Sequence, residues 1–204
     1  MPDAEQQRQA GAVESCLGGN APCYVWPGID VRYTSAIALA ESCGYAPCGD
    51  AFNLDVDLSR ARIDTRSDEK RLSEAGVSVR HLTAHDLPRF SAWAEEQWGP
   101  EWAWEATRAL RLDGAGCYVA TRGDAFVAFA AYGCARPSWF GPMGTVRSER
   151  KQGLGAVLLR RCLADARAGG MSHYLIAWAG PQEFYRRTVG AVASSSFRLY
   201  RKAL

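Results

Sequence analysis

Residues 150–156 read Arg-Lys-Gln-Gly-Leu-Gly-Ala and are the most informative stretch of this chain. An extended run over residues 138–146 precedes them. A strongly helical segment over residues 154–168 follows, with apolar residues at spacings of three and four. A helix N-terminus presents unpaired backbone N–H groups and a partial positive charge. Because the glycines let an anion approach those groups and the arginine and lysine add positive charge, the stretch predicts a phosphate or pyrophosphate site.

Two common phosphate-binding loops do not fit this stretch. A P-loop continues from its last glycine into Lys-Ser or Lys-Thr, whereas Gly155 is followed by Ala156 and Val157. A dinucleotide-binding turn needs a third glycine and opens a parallel β-α-β unit. Here the residues before the loop, 116–132, have the pattern of an antiparallel hairpin. The ligand is therefore expected to be a different phosphate compound.

The residues after position 76 alternate between strand and helix patterns. Their order is β-α-α-β-β-β-α-β-α-β. The predicted strands cover residues 77–82, 116–121, 125–132, 138–146, 174–178 and 197–200, and the predicted helices cover residues 85–98, 101–112, 154–168 and 182–188.

The loop resembles the acetyl-CoA loop of the GNAT family of N-acetyltransferases, which reads Arg/Gln-x-x-Gly-x-Gly/Ala. Residues 141–146 look like the family's splayed central strand, and residues 183–191 look like its Phe-Tyr-x-x-x-Gly-Phe element. The resemblance covers about residues 77–204 and departs at Lys151, where many members have glycine. It implies the α+β sandwich of the GNAT fold, with a mixed, mostly antiparallel central sheet and flanking helices.

The resemblance also implies acetyl-CoA as cosubstrate, without a metal. Backbone N–H groups of residues 152–156 would bind the pyrophosphate. Thr145 and Val146 would pair with the pantetheine arm, and one of their N–H groups would polarise the thioester carbonyl. The predicted cofactor contacts are Thr145, Val146, Arg147, Arg150, Lys151, Gln152, Gly153, Leu154, Gly155 and Ala156.

Tyr185 falls at the position of the family's usual general acid, which returns a proton to the departing CoA thiolate. A tyrosine with an ordinary pKa near 10 stays protonated at neutral pH and suits that role. The amine would attack the thioester directly in a ternary complex. The base that takes the amine proton stays open, because water can relay the proton and six side chains are candidates: Glu95, Glu96, Glu101, Asp113, His173 and Glu183.

Tryptophans are concentrated in the segment that forms the acceptor cleft in this family. Ordinary packing accounts for such a concentration, and an apolar wall for the acceptor is the functional alternative. The residues predicted to contact the acceptor are Trp98, Trp102, Trp139 and Trp178.

The function expected from the resemblance is acetyl transfer from acetyl-CoA to a primary amine of a small molecule. Two alternatives stay open. One is a non-catalytic acyl-CoA-binding or regulatory module, because fold alone does not fix function. The other is a protein or peptide N-acetyltransferase, whose shallower acidic groove the sequence does not show.

The first part of the chain resembles, more weakly, the last third of another GNAT domain, as in tandem-GNAT proteins. Its pattern predicts a strand over residues 23–26, a helix over residues 33–43 and a strand over residues 52–58. No Arg-x-x-Gly-x-Gly run precedes it, and Leu39 stands where the second copy has Tyr185. We therefore expect residues 1–60 to be a truncated β-α-β segment that neither binds acetyl-CoA nor catalyses a reaction.

The highly charged residues 61–75 predict a solvated linker, for which a partly helical conformation stays open, so that residues 76–204 would form the complete acetyltransferase domain. So short a first segment rarely forms a stable core alone. We expect it to pack on the second domain or on a partner subunit, and a homodimer joined through this segment is a hypothesis.

The composition excludes other classes. Hydrophobic residues make up 48% and charged residues 23%, and the formal net charge is +2. This balance is typical of a globular protein and favours neither nucleic acid nor an anionic membrane as partner. No apolar run is long enough to span a membrane, and no signal peptide is evident, so a cytoplasmic protein is expected. The seven cysteines include no CxxC pair, so no zinc site is predicted.

Overall fold

The computed structural model describes residues 11–19 and 25–204. Within these residues nine strands form one sheet in the order β1-β9-β3-β8-β7-β6-β5-β4, and β2 also pairs with β9. Every pair is antiparallel except β7 with β8, which is parallel. The strands are β1 Glu14–Leu17, β2 Ile29–Asp30, β3 Ala46–Asp57, β4 Val77–His81, β5 Gly116–Arg122, β6 Ala125–Tyr132, β7 Trp139–Thr145, β8 His173–Ile176 and β9 Val192–Ala203.

Six α-helices flank the sheet in the described part of the chain. They are α1 Thr34–Ser42, α2 Arg66–Glu74, α3 Leu87–Trp98, α4 Pro100–Arg108, α5 Leu154–Ala168 and α6 Gln182–Val189. From β4 onward the element order is the predicted one, and α5 has the predicted bounds. The expected mixed, mostly antiparallel sheet with flanking helices is confirmed.

Both faces of the sheet are buried, because apolar helix faces cover each side. One core packs α2, α5 and α6 against the central strands and includes Leu158 and Ile176, each at most 1% exposed. The other packs α3 and α4 against β5 and β6, around Phe90 and Phe129. Strand β6 contributes to both cores. The two cores hold the middle of the sheet rigid on either side of the site described below.

Strand β3 lies inside the sheet, between β8 and β9. Leu54 is opposite Ile176 of β8, and Ala51 is opposite Phe197 of β9. The first segment therefore packs on the residues of the predicted second domain. The two segments do not form separate sheets, because β3 belongs to the same sheet as β8 and β9. The predicted boundary near residue 60 is not a boundary of this sheet.

The predicted linker contains helix α2 and is not fully solvated. Leu72 is 1% exposed and belongs to the core beside α5. Two acidic residues of α2 form ion pairs with α5, Asp68 with Arg160 at 2.8 Å and Glu69 with Arg161. One apolar residue and complementary charges thus fix a helix whose sequence alone is typical of a solvated segment.

Part of the predicted first strand lies outside the described residues, namely Cys23 and Tyr24. Val25 and Trp26 belong to no strand, and the short strand β2 begins only at Ile29. None of the described helices is long and apolar enough to cross a bilayer. The homodimer stays a hypothesis.

We predict that β3 contributes to the common core. Leu54→Ala should lower the free energy of unfolding by about 2–5 kcal/mol, because Leu54 is 2% exposed between two neighbouring strands. Leu39→Ala, on α1, is the matched control, with a side chain that is 64% exposed and an expected change within about 0.5 kcal/mol. Urea denaturation of both variants measures this, and equal losses would contradict the role of β3.

Candidate active site

A gap opens between β7 and β8 just after their pairing begins. Only Trp139 with Leu175 and Phe140 with Ile176 are paired in the described structure. From Gly141 to the end of β7, the edge that faces β8 carries no neighbouring strand. Unpaired backbone N–H and C=O groups at a sheet edge accept an extended ligand as an additional strand.

The backbone N–H available in this gap is that of Thr145 rather than that of Val146, and the Thr145 carbonyl already accepts a hydrogen bond from the Arg150 side chain. The N–H of Val146 donates to the carbonyl of Val127 on β6 at 3.0 Å. Since successive residues of an antiparallel strand point their N–H and C=O groups in opposite directions, those of Thr145 face the gap. The prediction that Val146 shares the pantetheine contact is therefore wrong for its N–H group, which β6 already uses.

Helix α5 presents an uncapped N-terminus at one end of the gap. Its N-cap is Gly153 in the left-handed conformation (φ +89°); no side chain caps the helix, and no acidic residue lies in its first turn. A Cβ atom on Gly155 would lie 2.9 Å from Cε of Met143. The glycine therefore lets α5 pack closely on β7, and the uncapped first N–H groups of the helix attract an anion.

Two basic side chains flank this N-terminus. Arg150 donates from Nε to the Thr145 carbonyl at 3.2 Å, which ties the loop to β7. Lys151 takes a left-handed backbone conformation (φ +66°), where many GNAT members have glycine. Both residues line the cavity described next and make its loop end positive.

Arg71 of α2 also contacts this loop, and no sequence pattern predicted this contact. Its Nη1 donates to the carbonyl of Gln152 at 3.2 Å. A Cβ atom on Gly153 would lie 3.0 Å from Arg71 Nη2. The segment predicted as a linker therefore brings a guanidinium group to the cofactor loop.

The gap, the loop and the N-terminus of α5 open into one cavity of about 1360 Å³. This exceeds the roughly 300–1,000 Å³ of a typical small-molecule site and leaves room for a long cofactor with a second ligand. Most predicted site residues line it: Thr145, Arg150, Lys151, Gly153, Leu154, Gly155, Ala156, Tyr185, Trp98, Trp102, Trp139 and Trp178. Val146, Arg147 and Gln152 do not.

Tyr185 of α6 faces this cavity from a buried position. It is 6% exposed, and its ring packs edge-on against Phe140 and Phe184 at centroid distances of 6.3 and 5.1 Å. Burial raises the pKa of Tyr185 to about 12. Its hydroxyl makes no hydrogen bond with the described residues and stays protonated at neutral pH, so it can donate a proton to a ligand.

Two of the cavity tryptophans form its wall on the α3–α4 side. The rings of Trp98 and Trp102 are nearly parallel, 18° apart, with centroids separated by 6.2 Å. Trp98 also packs so closely on β7 that a Cβ atom on Gly144 would lie 2.5 Å from its ring. Trp93 packs within the core on this face, and Trp104 is 46% exposed, so neither lines the cavity.

Trp178 forms the opposite wall and is held there by β3. Its backbone is left-handed (φ +50°), which a bulky residue rarely adopts. The Oδ1 atom of Asn53 accepts the Trp178 N–H at 2.9 Å, and the Phe52 carbonyl accepts the Ala179 N–H at 2.7 Å. The first segment thus positions one side of the cavity.

None of the six side chains considered as bases lines the cavity, but Glu105 of α4 does. Glu105 is 6% exposed. Burial raises the pKa of its carboxyl to about 7, and the nearby Arg108 opposes part of this effect. The sequence carried a signal, because Glu105 falls three residues after Trp102 on the buried face of α4.

The remaining acidic group of the cavity wall is already neutralised. Glu149 pairs with Arg122 at 2.9 Å and accepts a hydrogen bond from Gln152 at 2.8 Å. In residues 11–19 and 25–204, no group of three or more His, Cys, Asp or Glu side chains is placed to hold a metal ion.

Comparison with protein families gives one match. The model of the acetyltransferase (GNAT) family covers residues 78–191, more than half of the chain. No curated protein sequence matches this chain.

Solved structures share the fold at low sequence identity. A fungal multi-domain GH3 β-N-acetylglucosaminidase contains a region described as a GCN5-related glucosamine N-acetyltransferase. It matches 97% of this chain and 26% of that one, at 17% identity and a TM-score of 0.79. A GCN5-related N-acetyltransferase from Sphaerobacter thermophilus matches 86% of this chain and 58% of that one, at 19% identity and a TM-score of 0.62.

A tandem GNAT protein from the clavulanic acid biosynthesis pathway matches 98% of this chain at 14% identity and a TM-score of 0.61. This chain spans about a quarter of the fungal protein and about two thirds of the tandem protein. Both matches extend over nearly all of the present chain, so they include its first segment.

We predict that Asn53 stabilises the Trp178 wall. Asn53→Ala should lower the free energy of unfolding by about 1–3 kcal/mol, because the Trp178 N–H loses its acceptor. Ser194→Ala removes a hydrogen bond to the Asn53 carbonyl from an exposed serine and should change stability by less than about 0.5 kcal/mol. Urea denaturation compares the two, and an unchanged Asn53→Ala protein would show that Asn53 does not hold the wall.

Proposed function

This chain belongs to the acetyltransferase (GNAT) family, and from that premise we propose that it transfers an acetyl group from acetyl-CoA to a primary amine of a small molecule. One observation carries the proposal. The unpaired edge of β7, the uncapped N-terminus of α5 and the Tyr185 hydroxyl all line a single cavity. The extended pantetheine arm of acetyl-CoA needs an unpaired strand edge, its pyrophosphate needs a helix N-terminus, and the leaving thiolate needs a proton donor.

The residues around the loop fit acetyl-CoA. The uncapped N–H groups at the start of α5 would bind the pyrophosphate. Arg150 and Lys151 supply the positive charge that its oxygens require. The pantetheine arm would lie in the gap and pair with Thr145, whose N–H would also be the donor for the thioester carbonyl.

In the proposed reaction the amine nitrogen attacks the thioester carbonyl carbon, and the carbon–sulfur bond then breaks. Acetyl-CoA supplies the activated acetyl group, and no acyl-enzyme forms. Tyr185 donates its phenolic proton to the departing CoA sulfur, and the proton released from the amine nitrogen restores the phenol through water. The buried phenol suits this order, because it stays protonated until a strong base forms beside it.

The acceptor proposed is a small molecule. Four indole rings, those of Trp98, Trp102, Trp139 and Trp178, line the cavity, which suits a compact ligand with an apolar body. The fungal region that shares the fold is described as a glucosamine N-acetyltransferase, so amino sugars belong in the first acceptor panel. An assay of thiol release separates an enzyme from an acyl-CoA-binding module, which would bind acetyl-CoA without turnover.

We predict that Arg150 contributes to acetyl-CoA affinity. Arg150→Ala should raise the dissociation constant for acetyl-CoA about tenfold, the effect of losing one charge-assisted contact. Arg147→Ala is the matched control, since Arg147 is exposed and does not line the cavity; its affinity should stay within about twofold. Isothermal titration measures both. No acetyl-CoA binding by the unmodified protein would refute the proposed function itself.

We predict that Tyr185→Phe slows the chemical step. Its kcat should fall about 100-fold, as expected when a general acid is lost, while acetyl-CoA affinity stays within about twofold. Tyr118→Phe is the control, because this buried tyrosine donates its hydroxyl to Asp165, away from the cavity. Steady-state kinetics and titration together provide the test. A Tyr185→Phe enzyme with unchanged kcat would rule out the acid role.

A further inference from the structure

Glu105 is a buried carboxyl group that accepts no hydrogen bond from the described residues. It is 6% exposed, it lines the cavity, and it forms no ion pair with the described residues, although Arg108 on the same helix acts on its charge. A carboxylate that is taken out of water is strongly destabilised unless a cation or a hydrogen-bond donor pairs with it. Such a group inside an otherwise apolar wall is a place for a cationic ligand.

The charges of the cavity divide it into two halves. At the loop end lie Arg150 and Lys151, together with Glu149, which Arg122 and Gln152 already neutralise. In the other half Glu105 is the one cavity-lining carboxylate, among the described residues, that has neither a hydrogen bond nor an ion pair. The site therefore has a counter-ion for one positive charge.

The surroundings of Glu105 restrict the rest of the ligand. Trp98 and Trp102 present nearly parallel indole rings on the same wall, and Trp139 and Trp178 line the cavity as well. Indole rings bind the flat or apolar body of a ligand, and they also attract an ammonium group that lies against their faces. The indole rings offer no counter-ion for a second positive charge on the ligand. Such a charge would have to lie near Arg150 and Lys151, which are themselves positive.

We infer that Glu105 binds the ammonium group of the acceptor and takes its proton, and that the acceptor is a compact primary amine with a single positive charge. This inference rests on the proposed acetyl transfer for its catalytic part. It narrows the acceptor class, because polyamines and aminoglycosides carry several ammonium groups and would leave all but one of them unpaired.

The proton balance of this step is complete. The ammonium group gives one proton to the Glu105 carboxylate, which leaves a neutral amine with a free electron pair. The amine attacks the thioester carbon, the carbon–sulfur bond breaks, and the sulfur takes the Tyr185 proton. The second nitrogen proton restores Tyr185 through water, and Glu105 releases its proton to solvent. The products are the N-acetyl amine, CoA and one proton.

The environment of Glu105 suits a proton acceptor near neutrality. Burial raises the pKa of its carboxyl to about 7, and Arg108 on the same helix opposes part of this rise. The other titratable groups of the cavity wall are Glu149, Arg150, Lys151 and Tyr185. Because the carboxylate is the active form, kcat/KM for the amine should rise with pH through about 7, and Glu105→Gln should remove this rise.

Equilibrium binding tests whether Glu105 binds the ammonium group, without relying on turnover. The protein is saturated with CoA at pH 8, and the quenching of tryptophan fluorescence reports ligands beside the indoles. The probes are 2-phenylethylamine and glucosamine with one charge, spermidine and kanamycin with several, and 2-phenylethanol with none. Glu105→Gln removes the charge, Glu105→Asp keeps it, and Glu96→Gln is the exposed control on α3.

We expect at least one singly charged amine to bind the unmodified protein, at least about tenfold more tightly than spermidine or kanamycin. Glu105→Gln should weaken that amine about tenfold or more and leave 2-phenylethanol and acetyl-CoA within about twofold. Glu105→Asp should lose less affinity, and Glu96→Gln none. The arms with 2-phenylethylamine and glucosamine distinguish an aromatic body from a sugar ring.

Equal binding of the amine by the unmodified protein and Glu105→Gln would overturn the inference. The inference would also be overturned if no singly charged amine bound the unmodified protein, or if spermidine bound more tightly than the singly charged amines. Glu105-dependent amine binding without thiol release would refute the proposed acetyl transfer but support the ammonium site.

Discussion

The parallel contact between β7 and β8 determines the layout of this protein. The two strands pair at Trp139 and Phe140 and then leave an open edge along the rest of β7. If they stayed paired, the backbone groups around Thr145 would bond to β8, and no extended ligand could enter the sheet. The helix that follows, α5, begins at Leu154 after a short loop, and the residues at its N-terminus line the same cavity. A backbone edge and a helix terminus therefore form the half of the cavity that is proposed to bind acetyl-CoA.

The acceptor half depends on side chains from distant parts of the chain. Helices α3 and α4 supply Trp98, Trp102 and Glu105, whereas the loop after β8 supplies Trp178. That loop takes its shape from β3, because Asn53 accepts the Trp178 N–H. The first segment, expected to be an inactive remnant, has no cofactor loop of its own, but it forms part of the framework that shapes the cavity.

Local sequence patterns predicted the elements whose formation depends mainly on local interactions. Helix α5 carries a dense apolar period, and the structure has it with the predicted bounds. The packing of helix α2 was not predicted, because a single buried residue, Leu72, produces no period, and its ion pairs with α5 join residues 92 positions apart. The position of β3 in the sheet was not predicted for a similar reason, because strand pairing depends on partners that are distant in the sequence. Glu105 was missed because a glutamate on a helix is usually solvated, so its place on the buried face of α4 was a weak signal until the packing was known.

The position of β3 also constrains the order in which the fold can assemble. Both neighbours of this strand, β8 and β9, are synthesised more than a hundred residues after it. Until they emerge, β3 has two open edges and an apolar face with Leu54 and Val56. Such long-range pairing slows folding and leaves a nascent strand open to wrong partners. The sheet is complete only when β9 has paired with β3, a strand that lies more than a hundred residues before it.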